Sequence, residues 1–215
     1  MSNRSIHTLL KNWDEECPLT REEAVEVLSL PEEEMDSLME CAYALRTKYK
    51  GKKVSVQLLT NVRSGNCTQN CAYCAQSKDS QAEIEKYKRV SDEKLYGDND
   101  LVDEKHLARH CIGLSGIGFS DEEIEDLADR IREMKKKDTQ ICCSIGFLTE
   151  KQARILKDAG LDRINHNLNS SRSFYPEICT THTYDQRVNN IKMLQSLGFE
   201  ICSGGIVGMG ESKED

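Results

Sequence analysis

The sequence predicts an α/β protein, a parallel sheet built from repeating strand–helix units and preceded by an N-terminal helical extension. Three observations carry this reading. From Val54 onward, short apolar segments alternate with segments that open on helix-capping signals. The apolar segments sort by parity into one apolar face and one face of small or polar residues. Before Lys53 the spacing is helical throughout. The chain therefore divides into an extension over residues 1–52 and an α/β domain over 53–215.

In the extension, Thr20-Arg21-Glu22-Glu23 fits a capping box, in which hydroxyl and carboxylate satisfy each other's free backbone amides. Pro31 opens a second helix, and Met35, Leu38, Met39, Ala42 and Leu45 recur at helical spacing, a stripe expected to pack as core. Lys50-Gly51-Lys52-Lys53 ends it. Candidate strands follow at 54–61, 108–116, 140–147, 164–169 and 199–207. Between them, Ser120-Asp121-Glu122-Glu123 and Thr149-Glu150-Lys151-Gln152 are further capping boxes, and Gly160 and Gly198 stand where helix C-caps belong. The helix after Ser120 carries Ile124, Leu127, Ala128, Ile131 and Met134 on one face. Residues 78–105 are highly charged and read as a long excursion with at most short helices and a turn at Gly97-Asp98-Asn99-Asp100.

Parity gives the strands their meaning. Cys111, Gly113 and Ser115 share a face, opposite Ile112 and Leu114. Cys142, Ser144 and Gly146 oppose Ile141, Cys143 and Ile145, and Asn165, Asn167 and Asn169 oppose Ile164, His166 and Leu168. Cys202 and Gly204 share a face of the last strand. Helices cover the apolar side. Parallel barrels normally fill their interior with branched apolar residues, so a face of Cys, Ser, Gly and Asn implies a ligand-holding cavity. A polar face turned to solvent on an open sheet is the alternative. Cys111, Cys142 and Cys202 lie on three different strands, and together they suggest a metal or cluster site.

A second cysteine group is the strongest chemical signal. Cys67, Cys71 and Cys74 form C-x3-C-x2-C, three close thiols without an adjacent fourth ligand. That arrangement suits an iron–sulfur cluster with one open iron. A structural zinc site would want a fourth Cys or His, and the next downstream, His106 and His110, are over thirty residues away. Ten cysteines in 215 residues are too sparse for a small disulfide scaffold, and no secretory signal precedes them, so they read as reduced thiols. Cys17, Cys41 and Cys179 carry no motif and read as ordinary packing or surface positions. A net charge of −8 argues against nucleic acid as a partner. No apolar run approaches a membrane span, and the expected location is the cytoplasm.

The run Asn66-Cys67-Thr68-Gln69-Asn70-Cys71-Ala72-Tyr73-Cys74-Ala75-Gln76-Ser77 resembles the cluster loop of the radical S-adenosylmethionine enzymes, and within them the biotin synthase family. The likeness continues through Asn165-His166-Asn167-Leu168-Asn169, Thr180-Thr181-His182-Thr183-Tyr184 and Cys202-Ser203-Gly204-Gly205-Ile206-Val207-Gly208-Met209-Gly210-Glu211, so it covers the chain from about Lys53. The resemblance implies a TIM-type (β/α) barrel, of which about five of eight strands are present. It implies that Cys67, Cys71 and Cys74 hold a 4Fe–4S cluster that binds and cleaves S-adenosylmethionine to a 5′-deoxyadenosyl radical. It makes Cys111, Cys142 and Cys202 ligands of a 2Fe–2S sulfur donor, and dethiobiotin the substrate. Tyr73, Asn167, Asn169 and Arg187, with Gly204, Ile206 and Gly208 of the strand that meets the adenine, become cosubstrate contacts. An electron donor such as flavodoxin or ferredoxin, and a homodimer, are family expectations.

Two departures stand out. Asn169 occupies a position where many of these enzymes carry an acid toward the ribose, and an amide can still bind a hydroxyl. The chain ends at Asp215, soon after the fifth strand, so the family's arginine ligand to the second cluster has no counterpart here. The expectation is the N-terminal part of a longer protein, with an open edge prone to association. The competing readings are a sister radical enzyme, such as a hydrogenase maturase or a methylornithine-synthase-like isomerase, and a cluster-binding fragment without turnover.

Overall fold

The computed structural model describes residues 19–215. It divides into two compact units. The first comprises, of the described residues, 19–54 with Ser212–Glu214; the second is Ser55–Glu211 with Asp215. Cys17 lies outside the described residues.

In the first unit, helix α1 (Arg21–Leu28) begins at the Thr20 capping box and helix α2 (Met35–Lys50) follows a single 3-10 turn, Glu32–Glu34, opened by Pro31. The α2 stripe is not a buried core. Met35 is 39% and Met39 66% exposed, and Leu38 and Leu45 are only half-buried. Periodicity says that a helix has an apolar face; it does not say that anything covers it.

The second unit alternates strands and helices. Strands β1 (Gln57–Arg63), β2 (Arg109–Leu114), β3 (Ile141–Ser144), β4 (Arg163–Asn165) and β5 (Glu200–Cys202) form one parallel sheet in chain order. Helices α3 (Asp92–Glu104), α4 (Asp121–Met134), α5 (Glu150–Asp158), the short α6 (Tyr175–Ile178) and α7 (Tyr184–Ser196) connect them. The boxes at Ser120 and Thr149 form reciprocally, and a third, at Thr183 with Gln186, opens α7. Gly160 (φ +95°) and Gly198 (φ +77°) adopt the left-handed conformation that ends helices α5 and α7.

The core follows parity. Ile112, Ile141, Cys143, Ile145 and Ile164 are buried against Ile124, Leu127, Ala128, Ile131 and Met134 of α4, with Leu156 of α5 and Leu194 of α7 beside them. Each fully buried aliphatic side chain contributes roughly 1.5–3 kcal/mol, so this single layer fixes the register of the sheet.

The excursion after β1 departs from expectation. Residues 92–104 form a three-turn helix, and Gly97-Asp98-Asn99-Asp100 lies inside it instead of turning. Turn-prone residues are overridden here by tertiary partners. Leu95 and Val102 are buried in the core, Ser91 caps the N-terminus, and buried Asn99 donates to the Met134 carbonyl at 3.2 Å. The strands are also shorter than the apolar runs suggested, with β4 ending at Asn165 and β5 at Cys202.

Candidate active site

The loop after β1 carries the cysteine triplet. Gly65 (φ +69°) and Asn66 (φ +53°) turn the chain out of the strand. Gln76 Oε1 accepts from Gly65 N–H at 2.8 Å, Lys78 N–H donates to Gln69 O at 2.9 Å, and Cys74 N–H donates to Cys71 O at 3.1 Å. These bonds close residues 65–78 into a compact loop. Asn70 then fastens it to the segment after α6: its Nδ2 donates to Thr180 Oγ1 at 2.7 Å, and its Oδ1 accepts from Thr180 N–H and Thr181 Oγ1 at 3.1 and 3.0 Å. Ala72 N–H donates to Ile178 O at 2.9 Å.

Cys67, Cys71 and Cys74 line a cavity of about 230 Å³. Its walls come from the carboxyl ends of four strands: Tyr73 and Gln76 after β1, Ser115 and Gly116 after β2, Gly146 after β3, and Asn165, His166, Asn167 and Asn169 at and after β4. Arg187 of α7 and His182 complete it. Seven residues singled out in the sequence, the three cysteines with Tyr73, Asn167, Asn169 and Arg187, thus meet at one cavity. Gly204, Ile206 and Gly208 do not line it. They lie on the exposed segment after β5, where Gly204 O accepts from Asn169 N–H and Ile206 N–H donates to Asn169 O at 2.8 Å. His166 was expected on the helix side. It lines the cavity as well, one residue beyond the end of β4, alongside Asn165, Asn167 and Asn169.

Asn169 adopts φ +67° and donates from Nδ2 to Tyr73 Oη at 2.6 Å, joining the cysteine loop to the segment after β4. Arg187 Nε donates to Tyr175 Oη at 2.5 Å and to His182 Nε2 at 3.1 Å, and its guanidinium lies 5.9 Å from the Phe147 ring centroid. Burial, the approach of Cys179 and its hydrogen bond push the Cys71 thiol up to about 12. Burial also raises the Tyr73 phenol, and burial with Arg187 lowers the His182 imidazole to about 4.

Sequence reading missed two participants. Cys179, assigned to ordinary packing, is buried with its Sγ 3.7 Å from Cys71 Sγ, and His182 Nδ1 lies 3.3 Å from Cys179 Sγ. The C-x2-H spacing of Cys179 and His182 was the available signal; their approach to Cys71 spans more than a hundred residues and had none.

The other three cysteines sit on the polar face of the sheet. Cys111 and Cys142 are register partners on β2 and β3, and Cys202 lies in the next row, paired with Asn165. A hydrogen bond from Cys142 lowers the Cys111 thiol to about 7, assisted by Arg109 and opposed by burial, and the same contact with burial raises Cys142. Cys111 Sγ donates to Gln57 Oε1 at 2.9 Å. Arg163, the register partner of Cys142, is ion-paired with Glu200 in that row.

The loop triplet is a donor set that fits an iron–sulfur cluster, and the strand cysteines lie outside its cavity. One loop offers three thiols to one cavity with room beside them, and two adjacent strands bring Cys111 and Cys142 side by side with Cys202 one row away. Among the described residues, no helix is long and apolar enough to cross a membrane.

A family model described as the Radical SAM superfamily matches residues 61–215. Proteins named biotin synthase from Geobacillus kaustophilus and Bacillus subtilis strain 168 are 40% and 41% identical over 198 residues. The matches take in 92% of this chain and 60% and 59% of those proteins, so the chain spans about three fifths of the relatives' length. In fold, it resembles methylornithine synthase (TM-score 0.82, 17% identity, 96% of this chain and 60% of that one). It also resembles the FeFe-hydrogenase maturase HydG from Carboxydothermus hydrogenoformans (TM-score 0.80, 20% identity, 97% and 50%). At these identities the two structures bear on the fold alone.

Proposed function

The chain belongs to the radical SAM superfamily, and from that premise we propose that it forms the cluster-bearing part of a biotin-synthase-type enzyme that inserts sulfur into dethiobiotin. The observation that carries the proposal is the convergence of Cys67, Cys71 and Cys74 with Tyr73, Asn167, Asn169 and Arg187 on one cavity. When bound, a 4Fe–4S cluster with S-adenosylmethionine supplies the radical that removes substrate hydrogen, and a 2Fe–2S cluster supplies the sulfur.

The residues have distinct parts in this. Cys67, Cys71 and Cys74 hold the first cluster, and the hydrogen-bonded loop fixes their spacing before any iron arrives. Asn167 and Asn169 offer amides, able to donate and to accept, to the cosubstrate's hydroxyls. Arg187 presents its remaining guanidinium N–H groups to the cosubstrate side, while Tyr175 and His182 hold its Nε. Gly204, Ile206 and Gly208 lie outside the cavity wall, and their part on the adenine side rests on the family resemblance and on the backbone hydrogen bonds that join Gly204 and Ile206 to Asn169. Cys111, Cys142 and Cys202 would hold the second cluster, with Arg163 and Glu200 as the charged pair in the row of Cys111 and Cys142. This second cysteine set favours sulfur insertion over a sister radical reaction, which needs no sulfur donor. Electrons come from a flavodoxin- or ferredoxin-type donor.

The test is turnover by the reconstituted chain with dithionite, S-adenosylmethionine and dethiobiotin. Biotin together with 5′-deoxyadenosine supports the proposal. 5′-Deoxyadenosine without biotin keeps the radical chemistry and overturns sulfur insertion by this chain.

A further inference from the structure

Beside the cysteine triplet lies a second donor set that shares only one of its members. Cys71 Sγ, Cys179 Sγ and a ring nitrogen of His182 lie within 4.8 Å of one another, and all three residues are buried. From this geometry we propose that the cluster-free chain binds a zinc ion through Cys71, Cys179 and His182.

Two thiolates and an imidazole are the donors zinc prefers, and three protein ligands leave one position open. Their charge balances the cation, which offsets the cost of burying thiolates, and binding releases the thiol protons. Before a metal arrives, the set is already assembled. Asn70 clamps Thr180 and Thr181, the residues between Cys179 and His182, onto the loop that carries Cys71. His182 is oriented from behind. Its Nδ1 lies on the Cys179 side, and its Nε2 lies 2.9 Å from Tyr175 Oη. Once Nδ1 takes the metal, the ring proton sits on Nε2 and its N–H donates to Tyr175 Oη, while the Arg187 Nε–H that Nε2 accepts in the metal-free chain turns wholly to the same tyrosine oxygen. Gln69 Oε1, 2.9 Å from Nδ1 in the metal-free chain, rotates away.

The zinc site stands on its own geometry, but its consequence rests on the cluster reading. Cys71 belongs to both sets, so zinc here and a three-thiolate cluster exclude each other. Zinc would then hold the empty site closed and block cluster assembly.

The experiment uses the full chain, metal-free and anaerobic, titrated with Co²⁺ and then with Zn²⁺ as competitor. One equivalent of Co²⁺ is expected to give tetrahedral bands with thiolate charge transfer, displaced by zinc. The bands should persist in the Cys67→Ala/Cys74→Ala double variant and affinity should fall by roughly tenfold or more in Cys179→Ala and in His182→Gln. Loss in the double variant with retention in Cys179→Ala overturns the proposal, as does a chain that shows no tetrahedral site. Alkylation read by mass spectrometry needs no variant: zinc is expected to protect Cys71 and Cys179 together, and protection of Cys67 or Cys74 in place of Cys179 overturns the site. Reconstitution of the zinc-loaded chain with iron and sulfide separates the two readings. Depressed cluster content supports shared use of Cys71, whereas zinc and a full cluster held together would leave the zinc site standing and remove Cys71 from the cluster.

Discussion

Asn169 shows how one side chain serves backbone and site at once. Its φ of +67° lies in the left-handed region that asparagine tolerates, and its amide reaches Tyr73 across the cavity. Asn169→Ala is expected to lose about 1–2 kcal/mol in urea unfolding, mainly through the backbone. Asn169→Gly should lose less than about 1 kcal/mol, because glycine accepts that φ freely; equal losses would contradict the backbone argument. His110 makes a different residue-scale prediction. It is fully buried, with Nε2 2.8 Å from Thr60 Oγ1 and Nδ1 3.2 Å from Asn99 Oδ1, and burial lowers it from 6.5 to about 4. The unfolded chain therefore holds more protons than the fold between those values. The stability contributed by the neutral ring is whole above pH 6.5 and is lost as pH falls toward 4, at about 1.4 kcal/mol per pH unit. Denaturation across that range should show this slope reduced by one proton in His110→Gln; an unchanged slope would place the titration elsewhere.

At the scale of elements, the β3–α5 turn is pinned onto the β2–α4 turn. Phe147 N–H donates to Ile117 O at 2.7 Å, and a Cβ on Gly146 would sit 2.4 Å from that oxygen. Gly146→Ala forces the two turns apart and is expected to cost about 3 kcal/mol in thermal or urea unfolding. A near-neutral result would show that these cavity walls move independently. The elements also show what the sequence carries and what it cannot. Capping boxes at Thr20, Ser120 and Thr149 and strand parity were legible because both are local rules of hydrogen bonding and side-chain alternation. The helix over Asp92–Glu104 was not, since Asn99 and Gly97 read as a turn until Met134 and the core supply partners. The stripe of α2 was misread because periodicity marks an apolar face without saying whether anything packs on it. At the site, the cysteine triplet was legible from spacing alone, whereas Cys179 beside Cys71 was invisible until the loops were folded together.

At the scale of the whole molecule, the α/β unit separates stability from chemistry. Helices bury the apolar face of a parallel sheet, and the polar face and the carboxyl ends of its strands carry the thiols, amides and Arg187. Strands β1 and β5 each have one neighbour in the sheet, and Leu59 on the polar face of β1 is 64% exposed. The central claim is that this half-open scaffold nonetheless builds a three-thiolate site with a free position for a cosubstrate. Electron paramagnetic resonance of the anaerobically reconstituted, dithionite-reduced chain tests it most directly, with and without S-adenosylmethionine. The account predicts a reduced 4Fe–4S signal that shifts when the cosubstrate is added and disappears in the Cys67→Ala/Cys74→Ala double variant. A signal indifferent to S-adenosylmethionine, or one that survives in that variant, would contradict it.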